Sequence, residues 1–196
     1  MPAIVADRQA LILEAAVRVI ARSGIRGLRV EDLAAEAGVS TALIYYHFKD
    51  RAGLVQRTLA FINDRAIGYT EDALEGAEDA RDALLRLLLS ELQDTDRVRE
   101  NSIAWGELRA SAVFDDSLRA NLVESTREWV RDTAELVADS RAAGLADPRV
   151  EPLDAAERLT ALVEGLSERW LSGSLDLERA RALLSGAVDA ELGPRP

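Results

Sequence analysis

The chain contains no cysteine, one histidine, one lysine and no proline between residues 3 and 147. The absence of cysteine excludes disulfide scaffolds, thiol nucleophiles, iron–sulfur clusters and cysteine zinc sites. A lone histidine, His47, argues against histidine-rich metal sites and Ser–His–Asp hydrolysis, so no metal and no cofactor is expected. Phosphate-binding loops are also missing, and the carboxylates fall mostly at the spacings of solvated helix faces. An enzyme is therefore not expected. No run approaches the ~18 uncharged apolar residues of a membrane span. The opening MPAIVADRQA lacks a basic region followed by an apolar run, so no secretory signal is expected. These absences predict a soluble, cytoplasmic protein with no membrane association.

What is present is helix. A chain of 196 residues makes one or two domains at ~100–200 residues each. Ala, Leu, Glu and Arg dominate, all strong helix formers, and β-branched runs with period-2 alternation are absent. The expected class is all-α, with about nine helices. Leu11, Ile12, Ala15, Ala16, Val19 and Ile20 form a stripe at helical spacing, with Asp7 as its expected N-cap and Gly24 as its stop. A short second helix carries Val30, Leu33, Ala34 and Ala37 and ends at Gly38. Ser40 caps a third, over 40–48, and Asp50 a fourth, whose end Gly68 and Gly76 blur. Leu84–Leu92 reads as apolar nearly all round and hence buried, followed by Val98–Ala112 and a long helix near 117–143 closed by Gly144. DPRVEP (147–152) is a linker before two last helices, 153–172 and 176–191.

The net charge of −11 conceals an asymmetry. Residues 1–60 hold eight Lys/Arg against six Asp/Glu, while the remainder holds 16 against 29. Two modules with different partners explain such a split. The only lysine, the only histidine and two of the three tyrosines fall within positions 45–51. That cluster also fits an ordinary polar helix end, so the surrounding pattern decides.

Helix two and helix three are separated by Ala37-Gly38-Val39-Ser40, the layout of a helix-turn-helix. Glycine lets the chain pass through a left-handed conformation, Ala34 lets the helices approach, and Ile44 pins the second to the core. Other helical hairpins share this spacing. A DNA-reading helix, however, offers its leading side chains to base edges while flanking groups hold phosphates. Thr41, Ala42 and Leu43 occupy that leading turn, with Ala42 and Leu43 suited to thymine methyls. Tyr45, Tyr46, His47, Lys49 and Arg51 supply donors and cations within two turns. Two adjacent tyrosines point about 100° apart, so both are not buried together, although one can pack partly on helix one. Ser40 and Asp50 read as caps whose organised amides can face phosphate.

AGVSTALIYYHFKDRAGL (37–54), preceded by GIRGLRVEDLA (24–34), resembles the DNA-binding region of tetracycline-repressor (TetR) family transcriptional regulators. The resemblance covers residues 8–66 strongly; further on, Leu162–Leu166 with Trp170 is similar to BetI-type (betaine-pathway repressor) C-terminal domains. It implies a homodimeric repressor with a DNA-binding domain over 1–53 and an effector-binding and dimerisation domain over 54–196. It implies base reading by Thr41, Ala42 and Leu43, contacts to backbone and adjacent bases by Tyr45, Tyr46 and His47, and phosphate contact by Lys49. Two departures stand out. Arg51 replaces the usual lysine, which keeps a cation but changes its geometry. Arg29 replaces the usual capping threonine; losing a cap costs about 0.5–2 kcal/mol, and Arg29 can compensate by reaching a phosphate.

A net of +2 in the reading module implies few phosphate contacts per subunit, hence two modules on one pseudo-palindromic operator. The helices over 153–172 and 176–191 are expected to pair with a second copy, although their stripes fit an internal core equally. Phe61, Trp105, Leu108, Phe114, Trp129 and Val163, with Glu107 and Glu164 as acidic orienting groups, are the candidate lining of an effector pocket. Carboxylates with aromatics suit a cationic small molecule, and plain core packing is the competing role of these aromatics. A helical protein–protein adaptor with a non-functional reading head is the alternative to the ligand-responsive regulator.

Overall fold

A computed structural model of the chain describes residues 2–194, the side chains of residues 2–7 and of residue 71 lying outside that description. The described residues form nine α-helices and one short 3₁₀ turn, with no strand. In chain order these are α1 (Pro2–Ser23), the 3₁₀ turn Ile25–Gly27, α2 (Val30–Ala37), α3 (Thr41–Phe48), α4 (Arg51–Leu74), α5 (Ala80–Ser90), α6 (Asp96–Ala112), α7 (Asp116–Ala142), α8 (Pro152–Leu171) and α9 (Leu177–Leu192). The all-α expectation holds.

Local chemistry explains most boundaries. Asp79 and Asp176 accept hydrogen bonds from the backbone N–H groups of Asp82 and Arg179 at 2.8 and 2.7 Å, fixing the starts of α5 and α9. Pro152 opens α8, where a missing N–H costs nothing. Gly144 follows α7 at φ +73°, the left-handed stop its position suggested. One boundary differs from expectation: α1 begins at Pro2, so Asp7 lies inside the helix instead of capping it. Proline at the first helical position suits an N-terminus, and nothing after it breaks the helix. Gly68 likewise sits within α4, whose end falls at Leu74.

The chain forms two compact units: Met1–Arg65 with Glu100–Val123, and Ala66–Arg99 with Glu124–Pro196. In the first, α1 packs on α2 and α2 on α3 around Ile12, Ile20, Leu33, Ile44, Leu54 and Leu59, all at most 1% exposed. In the second, α8 packs on α9, and α5 against both, around Leu84, Leu88, Leu159, Val163, Leu184 and Val188. Leu85 and Leu89 are only partly buried, so α5 is enclosed on one broad face and not all round.

Arg81 ties the second unit together. Only 2% exposed, it donates to the carbonyls of Leu145 and Gly193 at 2.9 and 2.8 Å and to Asp189 at 2.9 Å. One buried guanidinium thus serves the carbonyls beyond α7 and α9 together.

Candidate functional site

The reading head is built from the turn upward. Gly38 adopts φ +64° ψ +34°, and its N–H together with that of Val39 closes α2 on Ala35 and Ala34. An added Cβ at Gly38 would meet nothing within 4 Å, so backbone conformation, not space, calls for glycine here. Ser40 follows in extended backbone, and its hydroxyl accepts from the Leu43 N–H at 3.2 Å, starting α3.

α3 has two faces. Ile44 and Phe48, four apart, are 1% and 4% exposed and join the core. Thr41, Ala42, Tyr45 and Tyr46 all lie exposed on the other side, Tyr45 at 49% and Tyr46 at 79%. Leu43 and His47 are half-buried at the edges, the His47 ring lying edge-on to Tyr46 with centroids 5.2 Å apart. Neither tyrosine is buried. Such an apolar and hydroxyl-bearing face, with nothing of its own chain over it, is what a base-reading helix presents.

Around that face the cations divide by role. Lys49 is exposed at the end of α3 and has φ +64°, the one described non-glycine residue with positive φ. Holding a lysine there costs roughly 1–2 kcal/mol, strain of the kind that concentrates at functional positions. Arg29 is exposed at the N-cap position of α2, where it makes no capping hydrogen bond. Arg51 is placed differently: its guanidinium donates to the carbonyls of Ile25 and Leu28, holding the 3₁₀ turn. Arg18 and Arg22 on α1 both pair with Glu36 on α2, holding its carboxyl below the usual range.

Glu107 also meets that turn. Its carboxylate accepts from the Ile25 N–H at 3.1 Å, reaching the turn from α6. Gly24, at φ +69°, makes this possible, since a Cβ there would stand 2.8 Å from the same oxygen. The turn ahead of α2 is therefore clamped by Glu107 on one side and Arg51 on the other. Neither clamp was visible in the sequence, because the partners lie 82 and 26 residues apart.

The proposed effector residues fall into two groups. In the first unit, Leu108 is core, Phe61 and Trp105 pack against that core, and Arg109 stacks on Trp105 at 5.5 Å. Phe114, at 87% exposure between α6 and α7, is not enclosed by its unit. In the second unit, Val163 is core and Trp129 packs on the cluster holding it, with its indole N–H buried and unpaired. Glu164 is partly buried on α8. Sequence reasoning passed over Glu91, which follows α5 in this unit. Its carboxyl accepts from the Tyr69 hydroxyl at 2.8 Å. Burial, above all, raises it to about 7, the Tyr69 hydrogen bond working against this and nearby Glu164 adding to it. The available signal was a lone acid within the leucine run RLLLSEL.

No group of three or more His, Asp or Glu among the described residues can hold a metal ion. No described helix is long and apolar enough to cross a membrane.

Among the described residues, nine helices led by a helix-turn-helix with an outward-facing second helix define the class of helical transcription regulators. Residues 12–58 match the profile of bacterial regulatory proteins of the tetR family, and residues 80–193 that of the BetI-type transcriptional repressor C-terminal domain. The chain belongs to the tetR family, whose members are transcriptional regulators and not enzymes. It is 26% identical over 194 residues to the HTH-type transcriptional regulator BetI of Burkholderia mallei, with 96% of this chain and 95% of that protein covered. A TetR-family regulator structure from Rhodococcus sp. is 48% identical at TM-score 0.89, covering 96% of this chain and all 100% of that one. A Saccharomonospora viridis transcriptional regulator solved in complex with choline is 25% identical at TM-score 0.87, covering 97% and 100%.

Proposed function

We propose that the chain is a ligand-responsive repressor that binds a pseudo-palindromic operator as a homodimer and leaves it when a small cationic effector binds. The observation that carries the DNA half is the division of α3, whose Ile44 and Phe48 are core while Thr41, Ala42, Tyr45 and Tyr46 face water. In this reading Thr41, Ala42 and Leu43 read bases, and Tyr45, Tyr46 and His47 contact backbone and adjacent bases. Lys49 and Arg29 hold phosphates, with the capped amides after Ser40 oriented toward the duplex. Arg51 acts from behind, as a strut for the turn.

Dimerisation through α8 and α9 is supported by their outer faces. Gly165 and Gly186 lie inside these helices, at a propensity cost of about 1 kcal/mol each against alanine. An added Cβ at either meets nothing within 4 Å of its own chain. Close approach of a second copy gives both glycines a purpose, in a four-helix packing.

The effector half draws on the choline-bound relative and on the acids and aromatics of the second unit. To move a two-state population from 1:99 to 99:1, a ligand must prefer the released state by ~10⁴-fold, about 5.5 kcal/mol. A regulator of this kind works in the cytoplasm, beside its operator.

Mobility shift of duplex DNA carrying a selected operator tests the reading. Thr41→Glu and Tyr46→Ala should each abolish or strongly weaken the shift while leaving the helical content unchanged. Retention of wild-type affinity in both variants would refute it.

A further inference from the structure

The reading face of α3 is defined by what it lacks. Between Thr41 and Phe48 the helix carries no Arg, Lys, Asn, Gln, Asp or Glu. Those side chains tell guanine, adenine and cytosine apart. They pair with guanine O6 and N7 or adenine N6 and N7, or accept from cytosine N4. α3 makes none of these contacts with its own side chains.

What remains in the leading turn is one hydroxyl and apolar carbon. Thr41 and Ala42 are exposed, and Leu43 is half-buried at the edge of the same turn, its N–H held by the Ser40 cap. The small side chains at 41 and 42 let the helix approach base edges closely, and Leu43 is the longest group there. A threonine hydroxyl bonds several bases alike, so it discriminates little. Thymine alone offers the major groove an apolar group, its C5 methyl, which alanine and leucine side chains can cover. Tyr45, Tyr46 and His47 follow Thr41, Ala42 and Leu43 by four residues, so their rings stand one turn behind the leading groups. The cations lie further off. Lys49 follows the last residue of α3, about 12 Å along the axis from Thr41, and Arg29 precedes α2.

We propose that Ala42 and Leu43 set operator specificity by covering thymine methyl groups, so that thymines beneath the start of α3, and not guanines, define each half-site. The proposal rests on the DNA-reading role of α3 above and adds the chemical group that is read. Phosphate contacts from Lys49 and Arg29 then supply affinity without sequence preference.

The test is binding of the full chain to a duplex selected from random sequence, with deoxyuridine replacing thymidine one position at a time. Each replacement removes a single methyl and leaves every hydrogen-bonding group in place. A methyl covered by Ala42 or Leu43 should be worth about fourfold in affinity. One under each side chain in each half-site of a dimer makes about 250-fold for the four together, their contributions being additive. Leu43→Ala should abolish the uracil penalty at one position of each half-site and keep it at the other, a pattern that general weakening of the fold does not produce. 7-Deazaguanine, which removes the N7 acceptor, should leave affinity unchanged. Uracil without effect at every thymine, or a 7-deazaguanine loss larger than any uracil loss, would overturn methyl reading and leave operator binding standing. Failure of the chain to prefer any duplex over random DNA would overturn both.

Discussion

Glu107→Ala removes the carboxylate that accepts from the Ile25 N–H, in a turn whose Ile25 is 7% exposed. A hydrogen bond to a charged group contributes about 1.5–3 kcal/mol, and this N–H has little access to water as a substitute. The variant should therefore lose about 2 kcal/mol, seen as a lower urea midpoint at unchanged slope. The turn leads directly into α2, so operator affinity should fall as well, by up to about 30-fold if the whole loss reaches the bound state. Glu107→Gln keeps an acceptor and should recover roughly half. Gly24→Ala gives an internal control. Its methyl would stand 2.8 Å from the Glu107 oxygen at φ +69°, so it suffers both a clash and backbone strain. In the Glu107→Ala background only the strain remains, and the two changes should be non-additive by about 1 kcal/mol. Wild-type stability in Glu107→Ala, or equal cost of Gly24→Ala in both backgrounds, would refute the clamp.

Lys49→Gly should stabilise the chain by about 1 kcal/mol by relieving the positive φ, yet weaken operator binding and lower the salt-dependence slope by roughly one per subunit. Gel shifts across a salt series check this. Ser40→Ala should cost about 1 kcal/mol by uncapping α3, measured by urea unfolding. Arg81→Ala should cost about 2–3 kcal/mol, since it takes the donor from the Leu145 and Gly193 carbonyls and leaves a hole where the buried guanidinium stood. Glu91 makes stability pH-dependent with a definite sign. Its carboxyl rises from 4.5 to about 7 on folding, so the native state holds a proton that the unfolded chain has released between those values. The contribution is fully present below about 4.5 and lost as pH rises through 7, at most about 3 kcal/mol in all. Glu91→Gln should flatten that part of the urea midpoint against pH.

Local features of the molecule were readable from sequence and distant ones were not. Gly38, Ser40 and the Ile44–Phe48 spacing announced the reading head because a left-handed turn, a cap and a buried stripe are each decided within a few residues. The missing proline made the long helices readable for the same reason. Arg51 looked like a phosphate ligand because only its charge and position were visible; its engagement with the Ile25 and Leu28 carbonyls depends on how α4 meets the turn. Glu107 suggested an effector group by its neighbours Trp105 and Leu108, whereas its carboxylate reaches back to the Ile25 N–H of the 3₁₀ turn. Phe114 shows the limit of composition: an aromatic in an apolar context is 87% exposed because it lies in the turn between two helices. The positive φ of Lys49 has no sequence signature, lysine being neither glycine nor asparagine.

Selection of binding sites from random DNA duplexes with the full chain tests the central claim most directly. A symmetric pair of α3 helices predicts enrichment of a dyad-symmetric sequence, with half-sites about one helical turn apart or a multiple of it. Recovery of duplexes without any shared dyad, at an affinity no greater than that for random DNA, would contradict it.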